Sequence, residues 1–235
     1  MKIESSIIRV KDLSSAIYAS MLGLMQEYYG NVTPDQFEAD LQKKDVVNVL
    51  RSGEELCGFS TQVLHKHTFW GEEILVLYSG DTIIAAKYRN SMALPIAGGR
   101  MMLAIIEDNP GKPLYWLLTS KGYKTYKFLP VFFKEYYPSL QSNASEAEKR
   151  LIKEFCVQFF QEKFDQENWL IKADSGDQVL NLQDGEINEQ RRKDPLVAFF
   201  EQRNPGHLSG DELVCFARFH QENLNPYIWK QLVDK

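Results

Sequence analysis

Apolar residues near the start of the chain recur at helical spacing. Leu13, Ile17, Met21, Leu24, Met25 and Tyr28 follow Asp12 and Ser14, and Gly30 stands where a helix ends. Thr33, Pro34 and Gln36 have the form of an N-cap, a first-turn proline and a capping-box partner, so a second, shorter helix carrying Phe37 and Leu41 is predicted. From Asp45 the pattern changes. VVNVL, the turn SGEE and LCGFSTQVLHKHTFW are rich in β-branched and aromatic residues with polar alternation, which predicts two antiparallel strands.

ILVLY at 74–78 is apolar at both alternating sets of positions, as in a central strand covered on both faces. Ser79-Gly80-Asp81 then interrupts the run before TIIAA, as a turn or as a bulge within one long strand. After KYRNS, the segment MALPIAGGRMMLAII predicts a buried helix beginning near Met92. NPGKP is a loop, LYWLLTS a buried strand, and GYKTYKFLPVFFKEYYP a helix kinked at Pro130; this alternation of strands and helices implies parallel pairing. Ser145 and Glu148 form a capping box for a helix bearing Leu151, Phe155, Phe159 and Phe164. The polar stretch from Asp165 to Lys193 holds a predicted hairpin at LIKADSGDQVLNL. Asp194-Pro195 opens a helix with Leu196, Phe199 and Phe200, and ELVCFARF reads as a last strand.

Composition narrows the picture. With 44% hydrophobic and 25% charged residues, the 235-residue chain is expected to fold around a packed core. The net charge of -5, from 27 basic and 32 acidic residues, offers no global positive field for nucleic acid. Cys57, Cys156 and Cys215 suit neither a disulfide framework nor a metal motif, and no apolar run approaches the roughly 18 residues of a membrane span, so a cytoplasmic protein without membrane contact is expected.

The order helix, helix, hairpin, central strand with a glycine bulge, helix, strand, helix resembles the GNAT superfamily of acyl-CoA N-acyltransferases over about Asp12 to Pro138. The closest motif is AAKYRNSMALPIA. In that family the fourth strand runs into a diphosphate-binding loop often written R-x-x-G-x-G/A. Arg89, Asn90, Ser91, Met92, Ala93 and Leu94 occupy the equivalent place, with Met92 where the family usually has its middle glycine. SGDTII and PLYWLLTSKGYKTYKFLPVFFKEYYP also resemble a group of bacterial GNAT-like proteins. The fold class expected is therefore α/β (α+β): a GNAT-like mixed central sheet flanked by helices, with a core over 1–138 and a largely helical extension over 139–235 that packs on it.

The resemblance implies transfer of an acyl group from acyl-CoA to a small-molecule amine or amino-acid-like acceptor, with CoA as co-substrate and no metal. Ser79 and Gly80 match the bulge whose amide polarises the thioester. Asp81 beside it is the candidate base, provided that burial raises its carboxyl pKa into the working range, or else a turn aspartate capping local amides. Tyr123, with Tyr126 as alternative, is the candidate acid for the departing thiolate. Acyl carrier protein is an alternative donor, for which Lys121, Lys124 and Lys127 are candidate contacts, and a non-catalytic ligand- or protein-binding module is a further alternative.

Other constellations suit other chemistry. His65 and His67 share a strand face at i and i+2, as metal ligands or as an exposed pair. His207, Asp211 and Cys215 suggest a thiol nucleophile or a buried, inert cysteine. The aromatic run from Tyr115 to Tyr137 lines an acyl tunnel or packs the core.

Overall fold

The structure is a computed structural model describing residues 3–89, 91–141 and 144–234. Its main sheet has eight strands: β1 (Glu4–Arg9), β2 (Val46–Ser52), β3 (Glu55–Phe69), β4 (Glu72–Ile84), β5 (Leu114–Ser120), β6 (Phe164–Asp165), β7 (Leu170–Ile171) and β8 (Glu212–Phe219). They lie in the order β1-β2-β3-β4-β5-β8-β7-β6, antiparallel throughout except where β4 runs parallel to β5. The crossover between that parallel pair is α3 (Ala93–Asp108). This order, with one parallel pair following an antiparallel meander, is a GNAT-like core.

Local chemistry sets the helices. Ser14 accepts a hydrogen bond from the Ile17 amide at the head of α1 (Ser15–Tyr28), and Thr33 accepts one from the Gln36 amide ahead of α2 (Pro34–Leu41). The predicted capping box is complete at the start of α4 (Glu146–Phe160). Asp194 and Pro195 open α5 (Pro195–Arg203), and α6 (Pro226–Val233) follows β8.

The double-sided pattern of ILVLY has the predicted consequence. Leu75 and Leu77 join a core with Met101 and Met102 of α3, while Ile74, Val76 and Tyr78 join one with Ile152 and Phe155 of α4. A third cluster packs α1 and α2 on β2 and β3 through Met21, Met25, Phe37, Val49 and Phe59. Gly99 lets α6 approach α3, since a Cβ there would come within 2.5 Å of Leu232.

Several expectations are corrected. The segment LIKADSGDQVLNL is not a hairpin: Leu170–Ile171 pairs with β6 and β8, whereas Val179–Leu180 pairs with Tyr29–Gly30. Its two halves part because Asn181 is held at the end of α1, its backbone amide on the Tyr28 carbonyl and its side chain on that of Glu27. The predicted kinked helix is two short pieces, Tyr123–Tyr126 and Phe128–Phe132. Pro130 has no N–H for the Tyr126 carbonyl, and Asn225 captures the carbonyls of Pro130 and Val131. Strand β1 went unpredicted because it is an edge strand of which only Ile8 is half-buried against the core, too little to make a pattern.

Candidate functional site

The site begins where the sheet splits. Pairing between β4 and β5 ends at Ser79 and Leu118. Beyond it β4 stays with β3, and its register shifts: Ser60 faces Thr82, but Gln62 faces Ser79. Three steps on β4 thus answer two on β3, which makes Gly80-Asp81 the bulge that the sequence admits. A side chain at Gly80 has no room, because a Cβ would lie 2.8 Å from Lys44 Cε and 2.9 Å from Thr61 Oγ1.

On one side of the split lies a cavity of about 790 Å³. Its walls come from α2, the ends of β4 and β5, the segment 121–128, and the distant residues Lys172, Asp177, Asp184 and Glu212. Eight basic and five acidic side chains line it, a local excess of positive charge in an acidic chain.

Asp81 sits in this wall, and burial first, then the nearby Asp40, push its carboxyl up to about 6 against the opposing pull of Lys44 and Lys121. Lys44 is itself buried, 2.7 Å from Asp40 and over the Tyr78 ring. Lys121 lies 2.6 Å from Glu212; burial opposes its charge, yet Glu212 and neighbouring acidic groups raise its pKa above the ordinary lysine value. Tyr29 and Tyr78 also line the cavity, and burial raises both phenols well above their usual range. Tyr78 shares a hydrogen bond with Thr119 at 3.3 Å.

The other expected site residues are distributed around this centre. Tyr123 lines the cavity, its ring facing the Arg191 guanidinium at 5.8 Å. Tyr126 is buried in the core and donates its hydroxyl proton to the Pro138 carbonyl. Arg89, expected to face solvent, turns inward: it donates to the Ile84 carbonyl, stacks on Tyr28 at 4.7 Å, and pairs with Asp184 at 2.5 Å. Lys124 reaches the same Asp184 oxygen at 2.6 Å. Burial works against the Asp184 charge, but hydrogen bonds from Lys124 and Arg89 outweigh it and hold the carboxyl below the usual range. Asn90 lies outside the described residues. Ser91 accepts a hydrogen bond from the Ala93 amide, exposed Met92 stands at the N-cap of α3 without a side-chain cap, and Leu94 is buried. Lys127, the third candidate carrier-protein contact, pairs with Asp194.

On the other side of the split, beneath α3, is a smaller cavity of about 40 Å³. Ser60, Gln62, Ser79 and Thr82 meet Leu94, Met102, Trp116 and Phe132 there. The aromatic run therefore closes this space down; Phe128 and Phe132 border it and Phe133 is packed in the core.

The remaining constellations are structural. His65 and His67 pack against Phe155 of α4 instead of standing exposed, and burial lowers the His65 pKa. Cys215 is fully buried on β8 with its thiol pKa raised by burial, His207 is hydrogen-bonded to the Asn204 carbonyl, and Asp211 pairs with Lys172. Among the described residues, no group of three or more His, Cys, Asp or Glu is placed to hold a metal ion, and no helix is long and apolar enough to cross a membrane. Sequence reading missed Asp40, Lys44, Gln62, Asp184 and Glu212. Only the i, i+4 spacing of Asp40 and Lys44 offered a local signal.

No family model matches the chain, and no curated protein matches it. Among solved structures it is similar to ElaA of Escherichia coli, at 16% identity over 54% of this chain and 84% of that one, with a TM-score of 0.36. It is similar to an acyl-CoA N-acyltransferase from Pseudomonas aeruginosa at 12% identity over 49% and 79%, TM-score 0.34. An integron cassette protein from Vibrio cholerae is similar at 11% identity over 75% and 95%, TM-score 0.39. The fold assignment stands on the strand order and the split sheet, independently of these likenesses.

Proposed function

We propose that the chain transfers an acyl group from a CoA thioester to the nitrogen of a primary amine by direct attack. The observation that carries this reading is the split between parallel β4 and β5, which opens at Gly80 beside a carboxyl pushed up to about 6. The residues present fit such a donor. Glycine at the bulge lets Lys44 and Thr61 close on the backbone, and the head of α3, where Met92 supplies no side-chain cap, offers a diphosphate positive helix potential and the Leu94 amide, while Ser91 takes the Ala93 amide and Pro95 has none.

On this reading the amine nitrogen attacks the carbonyl carbon, a C–N bond forms, and the C–S bond breaks. The nitrogen proton becomes acidic after attack and passes to Asp81, directly or through water. Tyr123 donates its phenolic proton to the departing thiolate. The acceptor enters as the neutral amine, having lost its ammonium proton to solvent, because basic side chains outnumber acidic ones around the wide cavity and Asp40 and Glu212 already pair with Lys44 and Lys121.

The test is to incubate the full chain with acetyl-CoA and a panel of primary amines, reading released thiol and the thermal shift given by CoA. Amine-dependent thiol release is expected. Absence of any shift with CoA or acetyl-CoA would remove the donor site. A shift without thiol release for any amine would favour a binding module, a second reading that draws support from the Arg89–Asp184 pair already occupying the loop arginine.

A further inference from the structure

The small cavity under α3 is bordered by a buried acceptor to which no described protein group donates. Gln62 is 3% exposed, borders the cavity, and its Oε1 has no hydrogen-bond partner among the described residues. The surrounding bonds fix which end of the amide is left over. Thr82 Oγ1 donates to the Gly80 carbonyl at 3.2 Å, so in its 2.8 Å contact with Ser60 it must accept. Ser60 has then spent its only proton and accepts from Gln62 Nε2 at 3.1 Å. The relay runs one way, and it turns Oε1 to the free position. Ser79, directly opposite Gln62 in the sheet, is engaged by Trp116 Nε1 at 2.8 Å.

A buried carbonyl oxygen left unpaired is costly, so the site calls for a ligand that donates a hydrogen bond. Size limits it. At about 40 Å³ the cavity holds roughly three waters, or two to three non-hydrogen atoms of a ligand. Charge limits it further, because no acidic or basic side chain lines the space and an ammonium group would be stranded there. A small neutral donor remains, and a hydroxyl is the smallest that an acyl chain can carry.

We infer that this cavity is the acyl pocket and that Gln62 selects a short hydroxylated acyl group, such as hydroxyacetyl, over a plain one. The inference rests on the acyl-transfer reading and adds the class of donor to it. Gln62 touches the acyl substituent and not the reacting atoms, so it sets specificity without taking part in the proton transfers at Asp81.

Calorimetric titration of the full chain with CoA, acetyl-CoA and hydroxyacetyl-CoA tests this, using the native protein and Gln62→Met, which keeps the side-chain length and removes the acceptor. The native chain is expected to bind hydroxyacetyl-CoA roughly 3- to 10-fold more tightly than acetyl-CoA, the worth of one ordinary hydrogen bond. In Gln62→Met that ratio should fall to about one, with CoA affinity retained. Equal affinity for the two thioesters in the native chain overturns the inference, and this arm decides even if the variant fails to fold. A preference that survives in folded Gln62→Met overturns it as well. Failure of CoA and both thioesters to bind is a different result, since it removes the acyl-transfer reading on which the inference depends.

Discussion

The two cavities that meet at the split differ in almost every physical respect. The wide one is charged, and its walls come from segments as far apart in sequence as Asp40 and Glu212. The narrow one is neutral and built entirely from β3, β4, α3, β5 and the turn segment just after β5. One break in a sheet thus opens onto a chamber suited to a polar reactant and onto a slot that accepts very little. On the proposed reading these are the acceptor and acyl sides, and the difference locates selectivity for the acyl group in the core and selectivity for the amine where the core meets the C-terminal extension.

The strongest way to break the comparison is to remove the extension. We expect residues 144–234 to fold as one cooperative unit with the core, because β8 pairs with β5 from Leu213 to Phe219 and buried Val214 and Phe216 share a cluster with Val76 and Leu117. Truncation after Pro138 would bare the edge of β5 and one face of the central sheet. An insoluble or molten product is expected, read by solubility and by loss of a cooperative thermal transition. A soluble fragment with an unchanged melting transition and native CoA binding would show that the narrow side stands alone.

Next in size is Asp81→Asn. Loss of a general base should lower turnover by about 10²- to 10⁴-fold while leaving CoA affinity intact. The native rate should rise with pH through about 6 and level off above it, following the carboxyl that burial has raised. Stability moves the other way. A carboxyl whose folded pKa lies above its unfolded value contributes stability that is present below the unfolded value and lost as pH rises through about 6. Asp81→Asn should therefore be more stable than the native chain at pH 8 and about equal to it near pH 3, as measured by chemical denaturation. An unaltered rate with a confirmed acceptor would exclude the role.

How much of this was legible follows from where the interactions lie along the chain. The capping residues Ser14, Thr33 and Ser145, the two-faced ILVLY strand and the Gly80 bulge are local features, so pattern and spacing located them. Tyr123 and Asp81 could be placed near a cleft because Tyr123 follows the end of β5 and Asp81 follows the glycine that interrupts the apolar run of β4. The partners that determine their surroundings could not. Glu212 reaches Lys121 from 91 residues away, and Asp184 reaches Arg89 from 95. Such pairs leave no periodicity behind. Gln62 was hidden for another reason: it sits in a strand that alternates correctly, and only the direction of three hydrogen bonds shows that its oxygen is left over.

Asp184 gives the finest test of the comparison, because it ties the extension to the loop that the resemblance assigns to diphosphate. Its carboxylate bridges Arg89 and Lys124 at the cavity wall, with all three groups partly shielded. A carboxyl with a lowered pKa contributes stability above its unfolded value and loses it as pH falls through the folded one. Asp184→Asn should therefore cost on the order of 1 kcal/mol at pH 7 and little near pH 3. The effect on CoA separates two roles. If the carboxylate competes with the donor's diphosphate for Arg89, its removal frees both cations, and CoA should bind up to roughly tenfold more tightly, a gain that shrinks with added salt. If the carboxylate instead holds Arg89 in position, Asp184→Asn and Arg89→Gln should both weaken CoA. We expect the first outcome, since the Asp184 oxygen already occupies the guanidinium that an incoming phosphate would need. Weaker binding in both variants would show that Asp184 supports the donor site through Arg89, and the two sides of the split would no longer be chemically separate.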